Sequence, residues 1–164
     1  MNWIFGNNIN TDLITPGRYN ITTDAKELSK IAFIEHRPEF AKTVKKGDFI
    51  IAGNNFGCGS SRETAVTALK ACGIKAVIAK SFARIFYRNC IDQGLLSILA
   101  PTDNINENDK LKIDIEKQLV LNITKKKEIK EVIPPLMIKL YESSGIIPYL
   151  KKNGLGSLKK LFEI

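Results

Sequence analysis

Histidine and cysteine, the residues that most often bind metal ions, are scarce in this chain. The single histidine is His36, and the three cysteines, Cys58, Cys72 and Cys90, are widely spaced and form no Cys-x-x-Cys pair. Structural zinc and iron–sulfur sites depend on closely spaced ligands of these types. The sequence therefore predicts no metal site in this chain. We expect His36 at the surface, Cys72 and Cys90 as small core residues, and Cys58 in a loop with no basic neighbour in sequence.

Long hydrophobic segments are also missing. No apolar run approaches the ~20 residues of a membrane-spanning helix, and the first residues lack the basic segment and apolar stretch of a signal peptide. We therefore expect a cytoplasmic protein without a membrane partner. The chain has 164 residues, of which 44% are hydrophobic and 26% charged. These values are typical of one globular domain, which we expect to span residues 1–164.

Acidic side chains are outnumbered by basic ones, and the formal net charge is +8. Such a charge is common in nucleic-acid-binding proteins. Here the lysines are dispersed, with the densest cluster at Lys125–Lys127, and few aromatic residues lie among them to stack on bases. We therefore expect no nucleic-acid partner. A basic surface also favours encounters with dicarboxylate substrates or an acidic protein.

Strands and helices are predicted to alternate through residue 99. The predicted strands are 2–6, 49–52, 75–79 and 95–99, and the predicted helices are 24–33, 40–46, 64–71 and 82–92, with Ser81 as the cap of the last and Asn7–Arg18 as a loop. This alternation predicts a mostly parallel central sheet. Residues 109–114 and 118–123 alternate polar and apolar side chains, which predicts added antiparallel strands. A helix is expected over 136–142, and a basic tail beyond residue 150. The fold class is α/β.

The glycine-rich stretch 53–63 carries the most specific chemical signal. It connects the predicted strand 49–52 to the amphipathic helix 64–71, and Ser60 or Ser61 falls where that helix is expected to have its N-cap. Backbone N–H groups at a helix start attract anions, and Arg62 adds a forked cation suited to a carboxylate. The stretch therefore predicts an anion site.

Neither common phosphate-binding pattern is present. A phosphate loop ends in Gly-Lys-Ser/Thr, and a dinucleotide loop has Gly-x-Gly-x-x-Gly, whereas Gly57 and Gly59 are followed here by Ser60, Ser61 and Arg62. These residues favour a carboxylate site flanked by hydroxyl groups. The spacing alone leaves one alternative equally open, namely a capped helix after a tight turn with Arg62 in solvent.

Three blocks of the sequence carry a resemblance to a known family. Asn10–Arg18, Gly57–Glu63 and Lys80–Phe86 resemble, in this order, motifs of the swivelling domain of the aconitase superfamily. The length of the separate chain is similar to that of the small subunits of 3-isopropylmalate dehydratases. The resemblance covers roughly residues 1–104. It implies a swivelling β/β/α domain and a hydro-lyase that moves a hydroxyl group by dehydration and rehydration.

The resemblance also implies roles for individual residues. Ser60 matches the family's catalytic serine, which accepts a proton from the substrate. Ser61 and Arg62 match residues that hold a substrate carboxylate. Asp12, expected to pair with Arg62, and Thr11 match supporting positions, as do the two loop glycines, Gly57 and Gly59. The alternative for Asp12 is a local turn cap.

The same resemblance implies a partner and a cofactor outside this chain. In the family, a 4Fe-4S cluster is expected on a large subunit, with which the small subunit forms a heterodimer or a heterotetramer. The small-molecule substrate is a hydroxy-dicarboxylate. No cofactor is expected on this chain, which is expected to be inactive alone.

Substrate choice in the family is expected to depend on the loop that begins at Tyr19. A relative that binds a third carboxylate is expected to have an arginine where this chain has Ile21. An apolar side chain favours a branched alkyl group, as in isopropylmalate, unless Ile21 packs into the core. Small subunits of homoaconitase or of a citraconate- or dimethylmalate-type hydratase remain alternatives, because Asn20 stands where leucine is expected. A carboxylate-binding module without catalysis is the non-enzyme alternative.

Overall fold

A computed structural model describes residues 1–131 and 133–162 of the chain. The strands are β1 Asn2–Ile4, β2 Phe49–Ala52, β3 Ala76–Ala79, β4 Leu96–Leu99, β5 Leu111–Asp114, β6 Leu119–Asn122 and β7 Lys127–Lys130. The helices are α1 Thr11–Ile14, α2 Ala25–Lys30, α3 Phe40–Thr43, α4 Glu63–Ala71, α5 Arg84–Gln93, α6 Pro135–Glu142, α7 Ile146–Asn153 and α8 Leu158–Phe162. Short 3₁₀ helices occupy Gly17–Tyr19 and Leu155–Ser157.

The first four strands form one parallel sheet in the order β1-β2-β3-β4. Ile50 of β2 pairs with Trp3 of β1 on one side and with Val77 of β3 on the other. Every residue of β2 and β3 is buried, as expected for central parallel strands that are covered on both faces. The predicted α/β fold with a parallel central sheet is confirmed.

Each face of the parallel sheet contributes to a separate core. On one face, Ile50 and Val77 pack with the buried residues of α4 and an aromatic group around Trp3. The Trp3 and Phe40 ring centroids are 4.7 Å apart in an edge-to-face arrangement. On the other face, Ile51 and Ile78 pack against a second buried set drawn from β6 and α6. Burial on both faces fixes the sheet, and with it the loops at its carboxyl edge.

The antiparallel part is a three-stranded sheet in the order β5-β6-β7. Strands β5 and β6 lie within the two predicted alternating segments, while β7 was not predicted because its sequence is almost entirely charged. A polar network connects this sheet to β1. The side-chain amide of Asn2 donates to the carbonyl of Asp109 at 2.8 Å, and that of Asn122 donates to the Asp109 carboxylate at 2.7 Å.

Two predicted helix caps are wrong. Arg62, not Ser60 or Ser61, precedes α4, and its side chain makes no capping hydrogen bond. The N-cap of α5 is Ala83. The hydroxyl of Ser81 instead accepts a hydrogen bond from the amide of Asn55 at 2.8 Å, so a contact between loops replaces the local cap.

Two other local predictions needed correction. The predicted loop Asn7–Arg18 contains α1, whose N-cap Asn10 accepts a hydrogen bond from the amide of Leu13. The helix predicted over 24–33 begins at Ala25, with Asp24 as its N-cap, and ends at Lys30. It stops early because the buried Phe33 has a φ of +57°, which is incompatible with a continuing helix. Gly73 and Gly94, which follow the ends of α4 and α5, have positive φ angles, as glycines that end helices commonly do.

Candidate active site

The three sequence blocks meet at the carboxyl edge of the parallel sheet. The loops that follow β1, β2 and β3 exchange backbone hydrogen bonds there. The amide of Gly57 donates to Ile9 at 2.7 Å, and the amide of Thr11 donates to Cys58 at 2.8 Å. The amide of Phe56 donates to Ser81 at 3.0 Å. Ligands of open α/β sheets bind at this edge, where loops from neighbouring strands converge.

Glycine is required at two positions in the central loop. Gly57 has a φ of +77° and Gly59 a φ of +87°, a region that residues with a Cβ rarely adopt. A Cβ on Gly57 would also overlap the ring of Phe86. The loop thus lies directly on α5, and the close contact fixes the position of the following serines.

Arg62 is the central cation of the site. Its Nη1 lies 2.5 Å from Oδ1 of Asp12 and donates to the carbonyl of Thr15 at 2.8 Å. The expected pair between Arg62 and Asp12 is therefore present. Nε and Nη2 of Arg62 have no hydrogen-bond partner among residues 1–131 and 133–162. With a side chain 21% exposed, Arg62 is both oriented by Asp12 and able to bind an incoming carboxylate.

Ser60 and Ser61 are exposed at the start of this region. Within the described part of the chain, neither hydroxyl has a hydrogen-bond partner, and the backbone N–H groups of residues 59–64 donate to no other residue. The buried Thr11 holds the loop from beneath, because its hydroxyl donates to the carbonyl of Ser60 at 2.9 Å. The site therefore combines free backbone donors, two accessible hydroxyl groups and one oriented cation.

Ile21 lies in a groove beside this cluster. Its side chain is 89% exposed, so the alternative in which Ile21 packs into the core is wrong. The groove is lined by Asn20, Ile21, Thr22, Thr23 and Thr64. Thr64 belongs to the first turn of α4, and the other four residues belong to the loop that begins at Tyr19.

The cysteines and His36 are placed apart from one another. Cys90 is buried in the core, and the half-buried Cys72 packs against that core. Burial raises the pKa of both thiols to about 12. Cys58 lies in the central loop, and His36 is exposed. In the part of the chain that the structure describes, no three His, Cys, Asp or Glu residues come together to hold a metal ion. These residues do not fit an iron–sulfur cluster.

Sequence reasoning did not predict every residue that builds the site. It missed Thr15, whose carbonyl accepts from Arg62, and Thr64, which lines the groove. It also assigned no role to Gly17, which lies against the guanidinium, since a Cβ there would be 3.4 Å from Nη2 of Arg62, an ordinary van der Waals contact. A backbone carbonyl has no sequence signal, and the position of Thr64 in the groove depends on the tertiary structure.

The model of the aconitase C-terminal domain family matches residues 2–103. This chain belongs to that family. The matched segment contains all four strands of the parallel sheet and the whole candidate site, and the resemblance drawn from the three sequence blocks is confirmed.

Relatives match over nearly the whole chain. A 3-isopropylmalate dehydratase small subunit from Archaeoglobus fulgidus is 51% identical, over 93% of this chain and 93% of that protein. A methanogen homoaconitase small subunit from Methanocaldococcus jannaschii is 50% identical, over 95% of this chain and 92% of that protein. A crystal structure of 3-isopropylmalate dehydratase from the same organism superposes with a TM-score of 0.89 at 49% identity, over 97% of this chain and 96% of that chain.

Among the described residues, no helix combines the length and the apolar composition needed to cross a membrane.

Proposed function

We propose that this chain is the small subunit of a two-component hydro-lyase, 3-isopropylmalate dehydratase, which interconverts 2-isopropylmalate and 3-isopropylmalate in leucine biosynthesis. The observation that carries the proposal is the oriented Arg62 beside two unpartnered serine hydroxyls at the carboxyl edge of the sheet. The names and high identity of the relatives support the same assignment.

Ser60 is the proposed catalytic base. Dehydration requires removal of a proton α to a carboxylate, and a free serine hydroxyl is too weak a base for that step. Ionisation of Ser60 must therefore be stabilised by nearby positive charge and by donors. The unpaired N–H groups of residues 59–64 and the partial positive charge of the α4 N-terminus supply both.

Arg62 and Ser61 are proposed to bind a substrate carboxylate. Nε and Nη2 of Arg62 present two parallel donors, which suit the two oxygens of a carboxylate. As negative charge spreads onto that carboxylate in the transition state, these contacts strengthen. Asp12 and Thr11 are positioning residues in this proposal. Asp12 orients the guanidinium and Thr11 holds the carbonyl of Ser60, while Gly57 and Gly59 allow the loop conformation.

The remaining chemistry belongs to a large subunit in this proposal. The described donors of this chain do not suit an iron–sulfur cluster, so we assign the 4Fe-4S cluster and the departure of the hydroxyl group to that partner. Residues 1–164 then act as one swivelling domain of a cytoplasmic heterodimer or heterotetramer, without nucleic-acid or membrane partners. Alone, the chain is inactive.

Ile21 favours isopropylmalate as the substrate. It is exposed in the groove that Thr64 of α4 also lines and can cover a branched alkyl group, but it cannot neutralise a third carboxylate. A second candidate, the small subunit of homoaconitase, is favoured by the relative of that name at 50% identity. A citraconate- or dimethylmalate-type hydratase and a carboxylate-binding module are further alternatives.

The test uses this chain purified anaerobically with its large subunit. The absorbance of the unsaturated intermediate is followed with 3-isopropylmalate and with homocitrate. We expect turnover of isopropylmalate alone and its loss in Ser60→Ala. Ser157→Ala is the matched control, because the Ser157 hydroxyl bonds locally to Gly154 near the C-terminus.

Each result has a defined meaning. Turnover of homocitrate alone would select the homoaconitase assignment, while full activity of Ser60→Ala would refute the role of Ser60. A complex that binds isopropylmalate without converting it, despite an intact cluster, would favour the binding module.

A further inference from the structure

A second groove lies between α4, α5 and the start of α7, and we call it the α7 groove. Its volume is about 520 Å³, within the range of roughly 300–1,000 Å³ that is usual for small-molecule sites. Lys70 of α4 lines it on one wall, Asp92 of α5 on another, and Ile146 and Pro148 of α7 on a third. No residue assigned to the candidate active site lines this groove. The α7 groove thus combines charges of both signs with an apolar wall.

Lys70 is a half-buried cation without an acidic partner in the described part of the chain. Its Nζ donates to the carbonyl of Gln93, at the end of α5, and to the carbonyl of Ser144 at 3.1 Å. Burial lowers the pKa of Lys70, because it removes water from the charged form. A desolvated charge is costly without a counter-ion. A carboxylate in the groove can supply that counter-ion by accepting the third proton of Nζ.

Asp92 presents a carboxylate that is open to a further donor. Its Oδ2 lies 3.8 Å from Nε of Arg88, an ion pair too long for a hydrogen bond. No other described residue bonds to this carboxylate. Asp92 precedes Gln93, whose carbonyl accepts from Lys70, so the acid and the base lie at the same end of the groove. Glu63 also lines the groove, but it lies about 10 Å from Lys70 along the axis of α4.

The apolar wall lies beside these two charges. The turn before α7 packs directly on the end of α5, since a Cβ on Gly145 would lie 2.9 Å from the carbonyl oxygen of Gln93. This close contact places Ile146 and Pro148 next to the carbonyl that holds Lys70. A ligand that matches both charges therefore has its remaining atoms against an apolar surface, which favours an alkyl group.

We propose that the α7 groove binds a small apolar α-amino acid. The carboxylate of the ligand accepts from Nζ of Lys70, its ammonium group donates to the carboxylate of Asp92, and its alkyl side chain contacts Ile146 and Pro148. A ligand with only one of the two charges would leave either Lys70 or Asp92 unmatched. The inference goes beyond the proposed function, because it concerns a separate site on the chain.

The test uses L-leucine as the probe, together with three compounds that each lack one recognised group. 4-Methylpentanoate lacks the ammonium group, 3-methylbutylamine lacks the carboxylate, and L-alanine lacks the branched alkyl group. Dissociation constants are measured by NMR titration of the ¹⁵N-labelled full-length chain, following the backbone amides of Gly145 and Ile146. We expect saturable binding of L-leucine with a dissociation constant of about 0.1–5 mM, as its small size allows.

The compounds that lack one charge should bind at least about tenfold more weakly than L-leucine, because each loses a charge-assisted hydrogen bond. L-alanine should bind about three- to tenfold more weakly, because it buries less apolar surface. The role of Lys70 is tested through 3-methylbutylamine and not by substitution, because Lys70 also holds the carbonyls of Gln93 and Ser144.

One variant tests the acidic wall. Asp92→Asn should weaken binding of L-leucine about tenfold and leave binding of 4-methylpentanoate unchanged, because only the amino acid has an ammonium group for Asp92. Asp103→Asn is the matched control, since Asp103 is an exposed aspartate that pairs with Lys80 away from the groove. This variant should bind L-leucine like the wild type.

Several results would overturn the inference. Equal binding of L-leucine and 4-methylpentanoate would show that the ammonium group is not recognised, and equal binding of 3-methylbutylamine would show the same for the carboxylate. An unchanged dissociation constant in Asp92→Asn, or amide shifts confined to other parts of the chain, would exclude the α7 groove as the site. A titration with L-leucine that does not saturate would exclude specific binding.

Discussion

Nη1 of Arg62 lies 2.5 Å from Oδ1 of Asp12, although the two residues follow different strands of the parallel sheet. Asp12 is half-exposed, and the Arg62 side chain is mostly buried. The pair therefore contributes less to stability than a buried one, since solvent screens it. The main effect of the pair is geometric, because it holds the Arg62 guanidinium at the carboxyl edge of the parallel sheet, where Ser60 is exposed.

Asp12→Asn should impair catalysis without unfolding the chain. The Thr15 carbonyl still contacts Arg62, but the loss of the carboxylate frees the guanidinium to rotate. We expect kcat/KM for isopropylmalate to fall about 10–100-fold, equivalent to roughly 1.4–2.7 kcal/mol. Steady-state kinetics and a denaturation curve measure both effects. Glu35→Gln is the control, because Glu35 pairs with Arg18 at the surface. A wild-type rate in Asp12→Asn would show that Arg62 needs no such orientation.

Ile21→Arg should change the substrate preference of the complex. The exposed side chain lies in the groove that Thr64 also lines, so an added cation can pair with a third carboxylate while losing contact with an alkyl group. We expect the ratio of kcat/KM for homocitrate over isopropylmalate to rise at least about tenfold, or ~1.4 kcal/mol. Ile147→Arg is the matched control, because Ile147 is an exposed isoleucine on α7. An equal change of the ratio in both variants would mean that general charge, and not position, is responsible.

Gly57→Ala should destabilise the fold. The new Cβ would overlap the Phe86 ring in a backbone conformation that alanine disfavours. Overpacking and the positive φ together predict a loss of about 2–4 kcal/mol in the free energy of unfolding. Chemical denaturation measures this loss. At Gly6 a Cβ would meet no atom within 4 Å, so Gly6→Ala should change the stability little. Similar values for the two variants would contradict the packing of the loop on α5.

Glu131 should make the stability of the chain depend on pH. Both of its carboxyl oxygens are buried without a hydrogen-bond partner in the described residues, and burial raises its pKa from an ordinary 4.5 to about 7. Between these values the unfolded chain loses the proton while the folded chain keeps it. The free energy of unfolding should therefore fall as the pH rises from about 4.5 to 7, by roughly 2–3 kcal/mol in total.

Denaturation curves of Glu131→Gln at several pH values test this linkage. The variant should lose that pH-dependent fall, because glutamine does not titrate. Glu128→Gln, at an exposed position of β7, should keep the wild-type pH dependence. The same slope in wild type and Glu131→Gln would show that Glu131 titrates normally.

Much of the fold follows from local properties of the sequence. The continuous apolar segments that became β2 and β3 predicted buried parallel strands, and the alternation of polar and apolar residues predicted β5 and β6. The strand β7 was missed because pairing with β6, and not the residues of β7, decides its conformation. The caps of α4 and α5 were wrong because hydrogen bonds between loops occupy the region in which a local cap was expected.

The amino-acid sequence was enough to identify the chemical elements of the candidate site, since the glycine-rich stretch with Ser60, Ser61 and Arg62 predicted carboxylate binding and three blocks carried the family resemblance. How these elements meet became clear in the tertiary structure alone. The parallel sheet brings the carboxyl ends of β1, β2 and β3 to one edge, so that Asp12 reaches Arg62 and Thr64 faces Asn20 across a groove. Such contacts depend on strand order and on the burial of both sheet faces, which no short sequence pattern specifies.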